Sequence, residues 1–228
     1  MKQLNVVVTS GNTREYIDDV RVLTNISSGK LGANIAAEFI NHGHNVTYVA
    51  PPNAIMPSTI FTGEYSFCGT KDTQSVYDAM ERLVPKADVV LMCMAVSDFT
   101  FDLDGAVKLS SGDPEAFIEH MRKTIKKTPK IISKFREWNP DAILVGFKFT
   151  VGKDYKELSE IAHNLLNTNK LNMVFANDKA QMKKAGEHVG MLITDVQGIE
   201  KPWVHKIKGK EAIAETIFEK VTYLAQEK

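Results

Sequence analysis

Cysteine is scarce in this chain, with only Cys68 and Cys93 among 228 residues. Each lies in an apolar stretch, so they read as buried thiols of a reducing cytoplasm rather than as a disulfide framework. Long hydrophobic runs are also missing. The most apolar segment, Ala87 to Val96, is broken by Asp88 and falls far short of the roughly 20 residues of a membrane span. The opening MKQLNVVVTSGN enters a strand-like run directly, without the apolar core and small-residue cleavage site of a signal peptide. Net charge is absent too, at 28 basic against 28 acidic side chains. A protein that wraps duplex nucleic acid depends on a basic excess to displace counterions from phosphates. The expectation is a cytoplasmic protein with neither nucleic acid nor membrane as partner. The neutrality conceals a gradient, because residues 1–107 hold 12 acids and 7 bases while residues 108–228 hold 16 and 21.

Several chemical signatures are missing as well. GxGxxG is absent, since Gly11 and Gly29 lie far apart, and GxxxxGK[ST] fails because Leu31 follows Lys30. Tyr155 is followed four residues later by Ser159, not by the lysine of a short-chain dehydrogenase. An ordinary nicotinamide enzyme is disfavoured. No Gly-x-Ser-x-Gly elbow occurs. The histidines, at 42, 44, 120, 163, 188 and 205, have no cysteine or carboxylate at zinc-site spacing. No metal-ligating set is expected.

What is present is an alternation of short valine-rich runs and helical stripes. Leu4–Thr9 reads as a buried strand, Leu31–Asn41 as a helix with Gly43 past its end, and Asn45–Ala50 as a strand stopped by two prolines. A weak strand at Tyr65–Cys68, a helix from Thr73 to about Leu83 and strands at Val89–Val96, Leu144–Phe149 and Met173–Ala176 continue the pattern. A stripe through Leu158, Ala162 and Leu166 marks a further helix. Val189–Thr194 and Pro202–Ile207 read as a hairpin turning at Gln197 and Gly198, and Ile213, Ile217, Val221 and Leu224 form one face of a closing helix. The implied fold is one α/β domain over 1–228, a doubly wound, mostly parallel, Rossmann-like sheet with a C-terminal hairpin.

Two stretches resist this pattern. Ser10–Ser28 is too long for a strand-to-helix connection, and such an excursion at the carboxyl end of a first strand marks a functional loop. Phe99 to about Lys127 is polar and reads as a flap with little core of its own. Ser10 and Gly11 stand at a strand end, and Ser27, Ser28, Gly29 and Lys30 stand at a helix start, where free N–H groups attract anions. The other reading of the serines is plain helix capping. Asp98, just past the central strand, points into the same crevice or caps a turn. Residues 122–136 hold seven bases and no acid, which makes either a solvated face or a polyphosphate attractor.

The segment VTSGNTREYIDDVRVLTNISSGKLG resembles the opening signature of the phosphopantothenate–cysteine ligases. The resemblance continues in order through AVSDF (95–99), Lys108, KTPKII (127–132), VGFKF (145–149) and FAND (175–178), covering nearly the whole chain. It implies a ligase that activates the carboxylate of 4′-phosphopantothenate on a nucleoside triphosphate, CTP or ATP, with Mg²⁺ bound through the phosphates, and passes the acyl group to cysteine. It also implies roles. Ser10, Gly11, Ser28 and Gly29 would donate to the triphosphate, and Asn25 would hydrogen-bond the acyl intermediate. Lys108 would neutralise phosphate charge, and Arg21 would bind phosphopantothenate from the neighbouring subunit of a homodimer. Asp98, Met94 and Ala95 would contact nucleotide and pantetheine arm, while Phe147 and the run Pro129, Lys130, Ile131 and Ile132 would shape the base pocket. The chain departs from the family at Met94 and Ser97, in the Lys108-Leu109-Ser110-Ser111 segment where one lysine remains of three, and at Gly146-Phe147-Lys148-Phe149-Thr150. The rival readings are a nicotinamide- or flavin-dependent oxidoreductase and a catalytically silent nucleotide-sensing module.

Overall fold

Runs such as Val6-Val7-Val8 and Val89-Val90-Leu91 are apolar on both faces of an extended chain, so they are stable only in a sheet covered on both sides. The computed structural model describes residues 2–60, 65–103, 108–109, 112–194 and 203–227 and contains that sheet. In chain order its elements are β1 (Asn5–Thr9), β2 (Arg14–Tyr16), β3 (Val22–Thr24), α1 (Lys30–Asn41), β4 (Asn45–Ala50), β5 (Tyr65–Gly69), α2 (Thr73–Leu83), β6 (Val89–Met92), β7 (Phe99–Phe101), α3 (Pro114–Thr124), β8 (Ile125–Lys127), α4 (Phe135–Trp138), β9 (Ile143–Thr150), α5 (Tyr155–Thr168), β10 (Met173–Asp178), α6 (Lys179–Ala185), β11 (Val189–Thr194), β12 (Trp203–Lys208) and α7 (Lys210–Gln226).

The main sheet runs β12-β11-β10-β9-β6-β1-β4-β5. Six neighbouring strands pair in parallel, and β11 and β12 close one edge antiparallel. From β1 the chain winds outward to β4 and β5, then returns to β6 and winds the other way. The direction therefore reverses between β1 and β6, and the crevice above their carboxyl ends is where such sheets bind ligands.

Side chains alternate between two cores. Val6, Val8, Leu91, Val145 and Phe175 meet Ile35 and Phe39 of α1 and Ile213, Ile217 and Phe218 of α7. Val7, Val90, Leu144 and Val174 meet Val76 and Met80 of α2, Phe135 of α4 and Leu158 and Leu166 of α5. Each fully buried aliphatic or aromatic side chain contributes about 1.5–3 kcal/mol. Asp72 begins α2 and Asp154 begins α5, each with a reciprocal capping box to Ser75 and Glu157.

The structure departs from the sequence reading at several points. The strand expected over Val89–Val96 stops at Met92, because Cys93–Val96 turn away to bond with the loop after β1. The loop Ser10–Ser28 contains a small antiparallel ribbon, β2–β3, with Arg14 opposite Thr24. The flap contains a second ribbon, β7–β8, and a helix, α3, begun by Asp113 with Pro114 in its first turn. None of the residues of α3 is buried. The expected hairpin turn at Gln197 and Gly198 lies outside the described residues.

Candidate functional site

The ends of β1 and β6 are stitched together beyond the last strand bonds. Thr9 Oγ1 accepts the N–H of Met94 at 3.1 Å, Gly11 O accepts that of Ala95 at 3.0 Å, and Ala95 O accepts that of Thr13 at 3.3 Å. Ser97 N–H closes the series on Thr13 Oγ1 at 2.9 Å. The result is a fixed rim at the point where the sheet reverses direction.

Asn25 is seated on this rim. Its Nδ2 donates to Val96 O at 3.2 Å, while its own backbone carbonyl is held by Asn12 Nδ2 at 2.9 Å. Asn12 Nδ2 also reaches Ser27 O at 3.2 Å, so one amide secures the return of the loop on both sides. Asn25 remains exposed to the crevice.

The start of α1 closes the other side. Gly29 is its cap residue, in the left-handed region at φ 75°, and supplies no side-chain bond to the first turn. Ser28 Oγ meets the N–H of Lys30 at 3.4 Å. The helix presses on the end of β1, since a Cβ at Gly32 would lie 2.4 Å from Ser10 Oγ. Ser10 is buried, donates its hydroxyl to Gly29 O at 2.9 Å and its N–H to Val49 O at 2.9 Å, so it fixes the helix start and, contrary to the sequence expectation, has both donors engaged within the fold. Burial pushes the Tyr48 phenol up to about 12, with the Ser10 hydroxyl opposing this through a hydrogen bond. Tyr48 donates to Ile55 O at 2.7 Å, and Ile55 N–H binds Ser28 O at 3.2 Å.

The ribbon β2–β3 stands out from this rim on polar ties. Glu15, 2% exposed, accepts the N–H and hydroxyl of Thr73 at 2.9 and 2.7 Å, at the start of α2. A carboxylate there complements the helix dipole. At the ribbon tip Arg21 is bonded to Asp18 at 2.9 Å, lies 5.2 Å over the Phe117 ring, and reaches Leu109 O at 3.4 Å. His120 Nε2 lies 3.2 Å from Ile17 O. Arm and flap are thus clasped, and exposed Lys108 stands beside Leu109.

These observations define a crevice at the joined ends of β1, β6 and α1, with an attached arm and flap. A family model described as the DNA/pantothenate metabolism flavoprotein C-terminal domain matches residues 1–224. The chain belongs to this family. The coenzyme A biosynthesis bifunctional protein CoaBC of Methanocaldococcus jannaschii is 32% identical over 228 residues, an alignment covering 97% of this chain and 51% of that protein. The CoaBC of Thermococcus kodakarensis is 35% identical over 174 residues, 75% of this chain and 40% of that one. The chain therefore spans about half the length of the curated relatives it matches. A crystal structure of the DNA/pantothenate metabolism flavoprotein from Streptococcus pneumoniae superimposes with a TM-score of 0.81 at 29% identity, covering 97% of this chain and 99% of that one. The Rossmann-like fold is shared.

Within the family domain, the residues named from sequence separate into groups. Ser10, Gly11, Asn25, Ser28, Gly29, Met94 and Ala95 lie around the joined ends of β1, β6 and α1. Asp98 is exposed at the flap base and pairs with Lys130 at 2.5 Å. Thr128 N–H donates to Asp98 O at 3.1 Å and its hydroxyl to Ser97 O at 2.6 Å, bringing Pro129 and Lys130 beside the β6 end. Phe147 and Ile131 part company, since Phe147 packs toward the α1–α7 core and Ile131 and Ile132 toward the α2–α5 core. They can border one pocket only across the top of β9.

The basic run over 122–136 is largely matched by acids from outside it. Arg122 and Lys123 meet Glu119, Lys126 meets Asp102, Lys130 meets Asp98, and Lys134 meets Glu137. Arg136 braces the carbonyls of Pro140, Ala142 and Lys170. Sequence reading missed Thr9, Asn12, Thr13, Glu15 and Asp18. These short polar residues carry no motif of their own, and the one available signal was their density in a single loop.

Proposed function

We propose that the chain is a phosphopantothenate–cysteine ligase. The observation that carries this reading is the seating of Asn25 on the joined ends of β1 and β6, beside a helix start whose cap residue, Gly29, has no side chain, in a domain whose relatives are named for coenzyme A biosynthesis. The comparisons give no support to the nicotinamide or flavin reading.

In the first step the phosphopantothenate carboxylate attacks the α-phosphorus of the nucleoside triphosphate, CTP in our reading. The bond to the β-phosphate oxygen breaks, pyrophosphate leaves and an acyl nucleotidylate remains. The α1 start, with the backbone of Gly11, Ser28 and Gly29, is suited to receive the triphosphate charge. Lys108 adds a cation from the flap. In the second step the cysteine amine adds to the acyl carbon, the nucleoside monophosphate departs and the amine loses a proton. Asn25 donates to the oxyanion of that addition without bringing a titrating group. Mg²⁺ would enter on the nucleotide phosphates and offset their charge. Among the described residues no three His, Cys, Asp or Glu side chains are grouped to hold a metal by themselves.

A homodimer with shared sites is part of the proposal. β3 is extended, so four residues carry Arg21 roughly 13 Å along the ribbon from Asn25. Tyr16, Val20, Val22, Leu23 and Ile26 are exposed along this ribbon and its return, an apolar concentration that favours a protein partner. A cytoplasmic setting fits two unpaired thiols and small-molecule substrates. The deciding assay is pyrophosphate release with CTP and ATP in parallel. Release that requires both phosphopantothenate and nucleotide, with an amide product on adding cysteine, supports the ligase. Nucleotide binding without turnover returns the sensing module.

A further inference from the structure

Asp18 is completely buried at the tip of the β2–β3 ribbon, next to exposed Asp19 and Val20. Its Oδ1 accepts the N–H groups of Val20 and Arg21 at 2.9 and 2.7 Å, which closes the ribbon turn. Its Oδ2 faces outward to different partners, Arg21 Nη1 at 2.9 Å and the N–H of Leu109 at 3.2 Å. An ionised carboxylate accepts about four hydrogen bonds, and Asp18 has four. Burial alone would raise its pKa. The N–H groups of Val20, Leu109 and Arg21, with the Arg21 charge, more than offset this and hold it below the usual carboxylate value.

One carboxylate therefore joins two segments 91 residues apart, one bearing Arg21 and the other Lys108. Arg21 gives Asp18 a single side-chain N–H, which leaves most of its planar fork for an anion. Phe117 beneath the guanidinium restricts the remaining motion.

We propose that Asp18 is a positioning residue that makes Arg21 and the Lys108–Leu109 backbone one cationic unit, so that both cations meet the phosphates of the same site. This rests on the reading of Arg21 as the phosphopantothenate ligand. It adds a consequence, that if Arg21 serves the neighbouring subunit's site, Lys108 goes with it.

The test uses Asp18→Asn in the full chain. The amide oxygen retains the ribbon turn, while its NH₂ opposes the donors of Arg21 and Leu109. Losing these charge-assisted bonds raises the KM for phosphopantothenate about tenfold and leaves the KM for cysteine within about twofold. Because the effect passes through Arg21, Asp18→Asn combined with Arg21→Ala raises that KM no further than Arg21→Ala alone. Leu109→Pro removes the flap N–H that Asp18 accepts, along with constraining the backbone at 108–109, and shifts the same KM in the same direction. Thermal melting of each variant checks that it is folded. If Arg21→Ala raises the KM but Asp18→Asn leaves it unchanged, or the two effects add fully, the positioning role is overturned while the ligase reading stands. If Arg21→Ala leaves the KM unchanged, the assignment of Arg21 falls and the proposal falls with it.

Discussion

The sheet and the arm with its flap are held by different physics. Around β1 and β6, Val8, Leu91, Val90 and Leu144 are fully buried, and the structure there is over-determined by apolar contact. The arm and flap expose Val20, Ile26, Phe99, Ile118 and Ile125, and α3 buries nothing. They are held by a few polar contacts: Glu15 ties the arm to α2 and Asp98 pairs with Lys130 at the flap base, while Asp18 joins arm to flap and Asp102 pairs with Lys126 within the flap. A body built on apolar area is stable alone. A limb built on hydrogen bonds and exposed apolar side chains depends on the few contacts that hold it.

The largest expected effects fall where both regions meet the chemistry. Asn25→Ala should still form the acyl nucleotidylate but pass it to cysteine about 10²–10³-fold more slowly. Isotope exchange of pyrophosphate into CTP would persist, and its loss would place Asn25 in the first step instead. Mixing Asn25→Ala with Arg21→Ala subunits should restore one intact site in the heterodimer. No recovery would assign the arm to its own subunit.

Next come the stabilities of the two regions. Gly32→Ala drives a methyl group into Ser10 and should cost about 1–3 kcal/mol of global stability, read from urea unfolding. Glu15→Ala leaves the Thr73 N–H buried and unpaired and its hydroxyl with only Thr13 Oγ1 at 3.4 Å, at about 1–3 kcal/mol. Its mark should be local, with faster amide exchange in residues 14–24 and unchanged exchange in β1 and β6. Equal acceleration in both would mean that arm and body unfold together.

A smaller effect follows from pH. Burial lowers the pKa of His44 below its ordinary 6.5, with His42 adding repulsion, and His44 Nδ1 must stay unprotonated to accept the N–H of Leu4. Burial lowers His188 as well. The unfolded chain takes up these protons first, so the stability from both histidines is complete above about pH 6.5 and declines as the pH falls toward their folded values. His44→Asn should flatten the dependence of the urea midpoint on pH in that window. Least of all should Lys130→Ala matter to stability. The Asp98 pair is exposed and worth about 0–1 kcal/mol, so a larger loss in unfolding experiments would show that the flap base is part of the core.

The sheet was legible in the sequence because burial on two faces demands unbroken runs such as Val6-Val7-Val8, which short segments cannot disguise. Its doubly wound, mostly parallel class followed from the alternation of strands and helices, while the strand order came from the structure. The arm and flap were less legible. β2 and β3 have three residues each, too few for a period, and their pairing depends on Glu15 and Asp18 meeting partners on α2 and in the flap. Asp113 and Pro114 start α3 in the structure, but the polar character of the whole stretch pointed to a loop. The crevice was found through motif residues such as Asn25 and Gly29. Their supports, Thr9, Asn12 and Thr13, act through backbone atoms distant in sequence, and no local pattern announces that.

Gly29 also places a limit on how this protein can be improved. Helices α2 and α5 begin with aspartates that close their own first turns, and a stabilised variant of α1 would do the same. An acidic side chain at position 29 would have to adopt left-handed backbone and would set its carboxylate against Ser10 and, in the function proposed above, against the triphosphate. What is suboptimal as a helix start is what leaves room for an anion. Selection for thermal robustness alone should reach this position late, and on the proposed function a variant that did so would be sturdier and a poorer host for a nucleotide.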